Sequence, residues 1–201
     1  MSRMNQASRP AGGEMIRSFV CIEVPPSIKA RIDERQQALR RKDVPVSWVK
    51  PPNIHLTIKF LGDVAAAAIA GVSQAVERAC QSVSPFDITV DGTGVFPSAK
   101  NPRVLWVGLA PLPDELRKLH SNIEAELERQ GFAREAKRFA PHLTIGRVRD
   151  SFKARQTVEE MLAAGFASET FRVTEVIVMR SELHPSGSIY TPQTVVKLIG
   201  K

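Results

Sequence analysis

The tetrapeptide HLTI occurs twice in this sequence, at residues 55–58 and again at residues 142–145. The repeat uses two of the four histidines in the chain. Histidine is the side chain whose ordinary pKa allows it to give or take a proton near neutral pH. Two imidazoles in one site could therefore protonate a leaving oxygen and activate a water molecule in the same reaction.

Both copies lie in short apolar runs that are typical of β-strands. Because successive side chains of a strand point to opposite faces, we expect His55, Thr57 and Lys59 to share one face. In the second copy, His142 and Thr144 share a face in the same way. The pattern therefore predicts two half-buried strands, each with a polar face that is capable of catalysis.

Two imidazoles and two hydroxyls are suited to displacement at a phosphodiester. The threonine hydroxyls can donate hydrogen bonds to phosphoryl oxygens, and Lys59 or Arg147 could offset the charge that accumulates there. Strict alternation would turn Arg147 away from Thr144, so a role for Arg147 requires a β-bulge, which Gly146 would permit. The alternative is that Lys59 and Arg147 are solvated surface residues.

Other catalytic chemistries lack their usual motifs in this sequence. It contains no HExxH metal motif, no GxSxG nucleophile motif, and neither GxGxxG nor GxxxxGK[ST] for phosphate binding. Hydrolysis by a metal ion usually needs carboxylates or closely spaced histidines. We therefore expect a site that works without a metal.

The element pattern favours an α+β fold with antiparallel strands, because long strand–helix–strand units are few. The two HLTI strands fall in the two halves of the chain, which suggests two similar lobes that face each other. Strands are predicted at 16–24, 54–62, 86–97, 103–110, 142–148, 171–183 and 188–200, and helices at 27–42, 64–80, 113–132 and 156–166.

Composition limits the partners and the compartment. The chain has 28 Lys and Arg against 21 Asp and Glu, a net charge of +7, which favours polyanions such as RNA or nucleotides, with solubility alone as the alternative. Two cysteines outside any CxxC pair favour a reducing, cytoplasmic location. No apolar stretch approaches the length that crosses a bilayer.

Residues 1–14 have no apolar region of the secretory type and are expected to form a flexible N-terminal extension. Residues 15–201 are then expected to form a single domain. Trp48 and Tyr190 are candidates for stacking on an RNA base, and ordinary packing is the alternative for both.

The residues around the two motifs resemble those of the 2H phosphoesterases, a group named for two H-x-T/S motifs. Within that group, the sequence is most similar to the bacterial and archaeal RNA 2′,3′-cyclic phosphodiesterases, once called 2′-5′ RNA ligases. The resemblance covers about residues 15–200. It rests on MIRSFVCIEVP, WVKPPNIHLTIKFLGDV, FPSAKNPRVLWVGL, RFAPHLTIGRV and SELHPSGSIYTP.

This resemblance implies a bilobal α+β fold with two antiparallel-sheet lobes, flanking helices and a pseudo-twofold central cleft. It also implies that His55 is the proton donor and His142 the proton acceptor in opening a 2′,3′-cyclic phosphate at an RNA end. A 2′-phosphate would remain, with Thr57 and Thr144 on the non-bridging oxygens. No cofactor and no metal would be needed.

Alternatives remain open from the sequence. Within enzymes they are the reverse reaction, 2′-5′ ligation of RNA halves, and hydrolysis of a small cyclic nucleotide. Outside enzymes, the alternative is a module that only binds RNA or nucleotides. The expected partners are RNA ends with a cyclic phosphate, tRNA halves among them, and nucleotides. We expect a monomer, because a pair of lobes closes its own site, and no membrane association.

Overall fold

The structure, a computed structural model, describes residues 13–41, 44–185 and 187–200. Strands and helices alternate along this part of the chain. The strands are β1 (Met15–Glu23), β2 (Val46–Trp48), β3 (His55–Ala65), β4 (Phe86–Ser98), β5 (Asn101–Leu109), β6 (Leu143–Val148), β7 (Glu169–Val173), β8 (Glu175–His184) and β9 (Gly187–Lys197). The helices are α1 (Pro26–Leu39), α2 (Ile69–Cys80), α3 (Asp114–Glu128) and α4 (Arg155–Ala164).

All of these strands belong to one antiparallel sheet. Its order is β7-β4-β5-β6-β3-β1-β8-β9, and β2 pairs in addition with β6. The order is symmetric about the β6–β3 pair, because β5 and β1, β4 and β8, and β7 and β9 occupy matching places. The predicted antiparallel α+β class is confirmed, and the two predicted lobes are the two halves of one continuous sheet.

The helices cover one face of the sheet and form the main core with it. Burial of a large apolar side chain contributes about 1.5–3 kcal/mol, so this layer holds most of the folding free energy. The opposite face carries a smaller apolar cluster of Phe19, Cys21, Ile177 and Met179 and is otherwise open at its centre. The helical core residues include Ile28, Ile32, Val72, Val76, Leu116, Leu119, Ile123, Leu127, Val158 and Met161.

The first HLTI strand contains a β-bulge at Ile58. Thr57 and Lys59 pair with consecutive residues of β1, which leaves Ile58 as the extra residue of β3. Lys59 therefore turns to the helix-covered face, where it is 2% exposed, and Phe60 turns to the open face. The expectation that Lys59 shares a face with His55 is wrong, because a bulge interrupts the alternation on which it was based.

The second HLTI strand contains the same bulge, at Ile145. Thr144 and Gly146 pair with consecutive residues of β5, and Arg147 then turns to the open face beside Thr144. A Cβ atom on Gly146 would lie within 3.3 Å of three neighbouring side chains, so only glycine fits there without adjustment. The bulge that Arg147 requires is therefore present.

Two predicted elements differ from the observed ones. The predicted strand 171–183 breaks at Thr174, so that β7 pairs with β4 while β8 pairs with β1 and β9 in the other half of the sheet. The helix predicted from Val64 begins at Ile69, because β3 continues to Ala65. Periodicity reports the type of an element, but it contains no information about which strand the element pairs with.

The predicted extension, residues 1–14, lies outside the described residues except for its last two, and the domain boundary at Met15 stays a prediction. Within the described ranges, no helix combines the length and the apolar character that crossing a membrane requires.

Gly94 provides a test of the packing next to the second motif. A Cβ atom on Gly94 would lie 2.1 Å from the Trp106 ring, so we predict that Gly94→Ala lowers the free energy of unfolding by about 1–3 kcal/mol. Gly71→Ala, in α2, is the matched control. The nearest atoms there belong to the flexible Gln130 side chain, and we predict a gain of about 0.5 kcal/mol. Urea unfolding measures both changes, and equal effects would contradict this account.

Candidate active site

The two HLTI strands lie side by side at the centre of the sheet. They pair in antiparallel orientation through Leu56 and Leu143, both of which are fully buried under the helices. With this register, His55 comes next to Thr144, and Thr57 next to His142, on the face opposite the leucines. The structure therefore brings the two motifs together on one face of the sheet.

A cleft of about 630 Å³ opens over these strands, a volume typical of small-ligand sites. Lys59 does not line it. His142, two residues before Thr144 in the same motif, is not among the lining residues either. The predicted site residues that do line the cleft are His55, Thr57, Thr144, Arg147, Trp48 and Tyr190.

Each imidazole is held by a backbone carbonyl two residues earlier in the chain. The Nδ1 atom of His55 lies 2.9 Å from the Asn53 oxygen, and that of His142 lies 2.8 Å from the Ala140 oxygen. A carbonyl oxygen only accepts hydrogen bonds, so each Nδ1 carries the hydrogen. The neutral rings therefore keep Nε2 free to take a proton, and the protonated rings present an Nε2–H donor.

Aromatic rings enclose His55. The Phe19 ring stacks on the imidazole with 4.7 Å between ring centroids, and Tyr190 meets it edge-on at 5.2 Å. Burial lowers the pKa of His55 to about 4, an effect that the hydrogen bond to Asn53 opposes and that the Lys29 charge adds to. A pKa of about 4 makes His55 neutral at pH 7 in the free protein.

His142 has a similar environment on the other strand. Phe96 meets its ring edge-on at 5.0 Å, and Trp106 lies 6.4 Å away between centroids. Burial lowers the pKa of His142, and the Arg147 guanidinium lowers it further, while the hydrogen bond to Ala140 opposes both. The two histidines thus share the same tautomer and the same direction of pKa change.

The charge of the cleft is positive. Arg17, Lys50 and Arg147 line it, and no Asp or Glu does so in the part of the chain that the structure describes. None of these three cations forms an ion pair with any carboxylate of the described residues. Such a cleft attracts an anion. No group of three His, Cys, Asp or Glu side chains that could hold a metal ion occurs within the described ranges.

Phe60 and Arg147 occupy matching positions, each five residues after a motif histidine and each turned to the cleft by a bulge. Phe60 is 45% exposed, and the Arg17 guanidinium lies 4.6 Å from the centre of its ring. Neither Phe60 nor Arg17 was predicted from the sequence as a site residue. Gly146 indicated a bulge in the second copy, whereas the matching position of the first copy is Lys59 and gives no such signal.

Comparisons with known proteins agree on one family. Residues 24–185 match the family described as the 2′-5′ RNA ligase superfamily. The RNA 2′,3′-cyclic phosphodiesterase of Methanothermobacter thermautotrophicus is 33% identical over 186 residues, which cover 91% of this chain and 99% of that protein. The protein of the same name from Thermotoga maritima is 33% identical over 176 residues, 87% of this chain and 91% of the relative.

Solved structures agree on the fold. The crystal structure of E. coli LigT complexed with 3′-AMP superposes with a TM-score of 0.78 at 24% identity, covering 92% of this chain and 99% of LigT. TT0787 of Thermus thermophilus gives a TM-score of 0.75, also at 24% identity, over 92% of this chain and 100% of its own.

The aromatic enclosure of each histidine can be tested separately. We predict that Tyr190→Ser raises the pKa of His55 from about 4 toward its ordinary value, because water then reaches the imidazole and stabilises its charged form. Phe96→Ser should raise the pKa of His142 in the same way. NMR titration of the imidazole C–H resonances measures both values. If either variant shifted both pKa values equally, the rings would not act as separate enclosures.

Proposed function

Because the chain belongs to the 2′-5′ RNA ligase superfamily, we propose that it hydrolyses 2′,3′-cyclic phosphates at RNA ends and leaves 2′-phosphomonoesters. The observation that carries the proposal is that two histidines on neighbouring strands have matching Nδ1 hydrogen bonds, on the face of the sheet where cations line a cleft. The names of the curated relatives, RNA 2′,3′-cyclic phosphodiesterase, support this substrate.

In the proposed reaction, His55 is the proton donor and His142 the proton acceptor. The Nε2 atom of His142 takes a proton from water while the water oxygen forms a bond to phosphorus. The bond from phosphorus to O3′ breaks, and Nε2–H of His55 protonates the departing oxygen. Each turnover leaves His142 protonated and His55 neutral, and exchange with solvent restores the starting state. The two histidines account for every proton transferred, so the proposed reaction needs no metal ion and no cofactor.

Three other residues stabilise the phosphoryl group in this proposal. The Thr57 and Thr144 hydroxyls lie on the same face as the imidazoles and donate hydrogen bonds to the non-bridging oxygens. The Arg147 guanidinium offsets the charge that develops there. Lys59 does not contact the phosphoryl group in this proposal, because its ammonium group is buried on the other face of the sheet.

Aromatic side chains supply the surface for a nucleobase. Phe60 is the most exposed of the aromatic residues in the cleft, and Arg17 extends its surface. Stacking on aromatic rings and guanidinium planes is the usual way in which proteins bind unpaired bases. Trp48 and Tyr190 line the same cleft and are proposed as additional stacking partners.

The proposed partners are single-stranded RNA ends, tRNA halves among them, with nucleotides as smaller ligands of the same cleft. A monomer is proposed, since one chain contributes both motif strands. A reducing, cytoplasmic location is proposed on the basis of Cys21 and Cys80, which are free thiols. Burial raises the pKa of both thiols to about 12, so neither is activated for disulfide exchange.

The first experiment uses the full chain, treated with EDTA, and a short RNA that ends in a 2′,3′-cyclic phosphate. We predict a 2′-phosphate product, and a loss of kcat/KM of about 10³-fold or more in His55→Ala and in His142→Ala. His184→Gln, a histidine outside the cleft lining, is the matched control and should retain activity. The proposed reaction is wrong if His142→Ala keeps full activity or if the product is a 3′-phosphate.

The same assay separates the alternatives. An RNA with a free 5′-hydroxyl is added to detect 2′-5′ ligation, in which that hydroxyl replaces water as the attacking group. A 2′,3′-cyclic mononucleotide tests a small substrate. RNA binding without any product, equal in wild type and the double histidine variant, would identify a binding module instead.

The lowered pKa values predict an acidic optimum. The active form carries one proton on the histidine pair. In the free protein both pKa values are lowered from the ordinary value of 6.5, so the form with two neutral histidines prevails at higher pH. We predict that kcat/KM falls about tenfold for each pH unit above 6.5. The profile of kcat should lie at higher pH, because bound phosphate raises both pKa values. A kcat/KM that rises between pH 6 and pH 8 would contradict this account.

A further inference from the structure

The bulge that removes Lys59 from the cleft places it in a buried polar network. Its Nζ atom donates a hydrogen bond of 2.7 Å to Oε1 of Glu124, a residue of α3, and one of 2.9 Å to the backbone oxygen of Ala133. The other carboxylate oxygen of Glu124 accepts a hydrogen bond of 3.2 Å from the backbone N–H of Glu135. Both side chains are almost completely buried.

Ala133 and Glu135 belong to the irregular segment that leads from α3 to the second motif. Among the described residues, no backbone–backbone hydrogen bond involves residues 133–141. Lys59 and Glu124 supply two side-chain hydrogen bonds to the backbone of this segment. Backbone groups that secondary structure leaves unpaired are satisfied by side chains or by water.

A second contact anchors the far end of the segment. Phe139 stacks on His120 of α3, with 3.9 Å between ring centroids and 11° between ring planes. The next residue, Ala140, provides the carbonyl oxygen that binds Nδ1 of His142. Fixing residues 133–139 against α3 thus fixes the acceptor that orients the His142 imidazole.

We propose that Lys59 and Glu124 are positioning residues for His142. Lys59 follows His55 in the same strand, and its hydrogen bond to Ala133 connects the strand of the first histidine to the segment that leads to the second, while the ion pair with Glu124 holds the ammonium group in place. This inference rests on the proposed function, since it assigns His142 a task that depends on exact orientation. A displacement of the reacting groups by about 1 Å can cost about 100-fold in rate.

A purely structural role gives a different expectation. Replacing one partner of a buried ion pair destabilises the fold, whereas replacing both by apolar side chains often restores stability. If the pair served stability alone, activity would return with stability. If it positions His142, the apolar pair would restore stability without restoring the hydrogen bonds to Ala133 and Glu135.

The test compares Lys59→Met, Glu124→Gln and the double variant Lys59→Met/Glu124→Leu with wild type, at a temperature where circular dichroism shows each to be folded. We expect kcat to fall about 100-fold in Lys59→Met with KM changed by less than about twofold. Glu124→Gln keeps an acceptor for Lys59 but loses the one for Glu135, so its loss should be intermediate. The double variant should recover the urea midpoint and keep the low kcat.

Ile32→Ala is the matched control, because it empties a fully buried site on α1 and leaves the network intact. Its kcat should equal that of wild type. NMR supplies a readout that needs no turnover, since the imidazole resonances of His142 should shift in Lys59→Met while those of His55 stay in place. This readout remains valid if wild type does not hydrolyse the cyclic phosphate.

Three results would overturn the inference. The first is an unchanged kcat and an unchanged His142 resonance in folded Lys59→Met. The second is a return of kcat to the wild-type value in the double variant. The third is an equal loss of kcat in Ile32→Ala, which would show that general destabilisation explains the effect.

Discussion

The contact between Leu56 and Leu143 is the constraint on which the rest of the site depends. These buried side chains fix the register of the two motif strands, and a slip of one residue would turn a histidine toward the helices. Because the strand order is symmetric about this pair, both motifs meet the same surroundings. Apolar packing on one face of the sheet thereby sets the positions of the two imidazoles on the other.

Desolvation and the charge of a bound anion act in opposite directions on the pKa values of the histidines. Burial favours the neutral forms of His55 and His142, while Arg17, Lys50 and Arg147 attract an anion to the cleft. A bound phosphodiester brings the negative charge that favours protonated imidazole. Binding of an anion and protonation of the histidines are therefore linked, and the exclusion of water by the same rings strengthens both interactions.

Local pattern was sufficient for the parts of the site that depend on one strand alone. Alternation placed Thr57 and Thr144 beside their histidines, and the helix and strand periods gave the antiparallel α+β class. Alternation failed at Lys59, because a bulge depends on how the neighbouring strand pairs and not on the strand's own sequence. The break between β7 and β8 at Thr174 could not be predicted for the same reason. The two strands have the same local sequence pattern but pair with different strands.

Phe60 and Arg147 give the cleft a direction. The strand order, the bulges and the imidazole tautomers are alike in the two halves of the sheet. These features alone would let a ligand bind in either of two opposite orientations. At one matching position, however, one half presents a flat apolar ring and the other a cation. A ligand with a planar ring at one end and an anionic group at the other complements the two halves in only one orientation. Two unlike side chains thus give an internally repeated scaffold a fixed direction for its ligand.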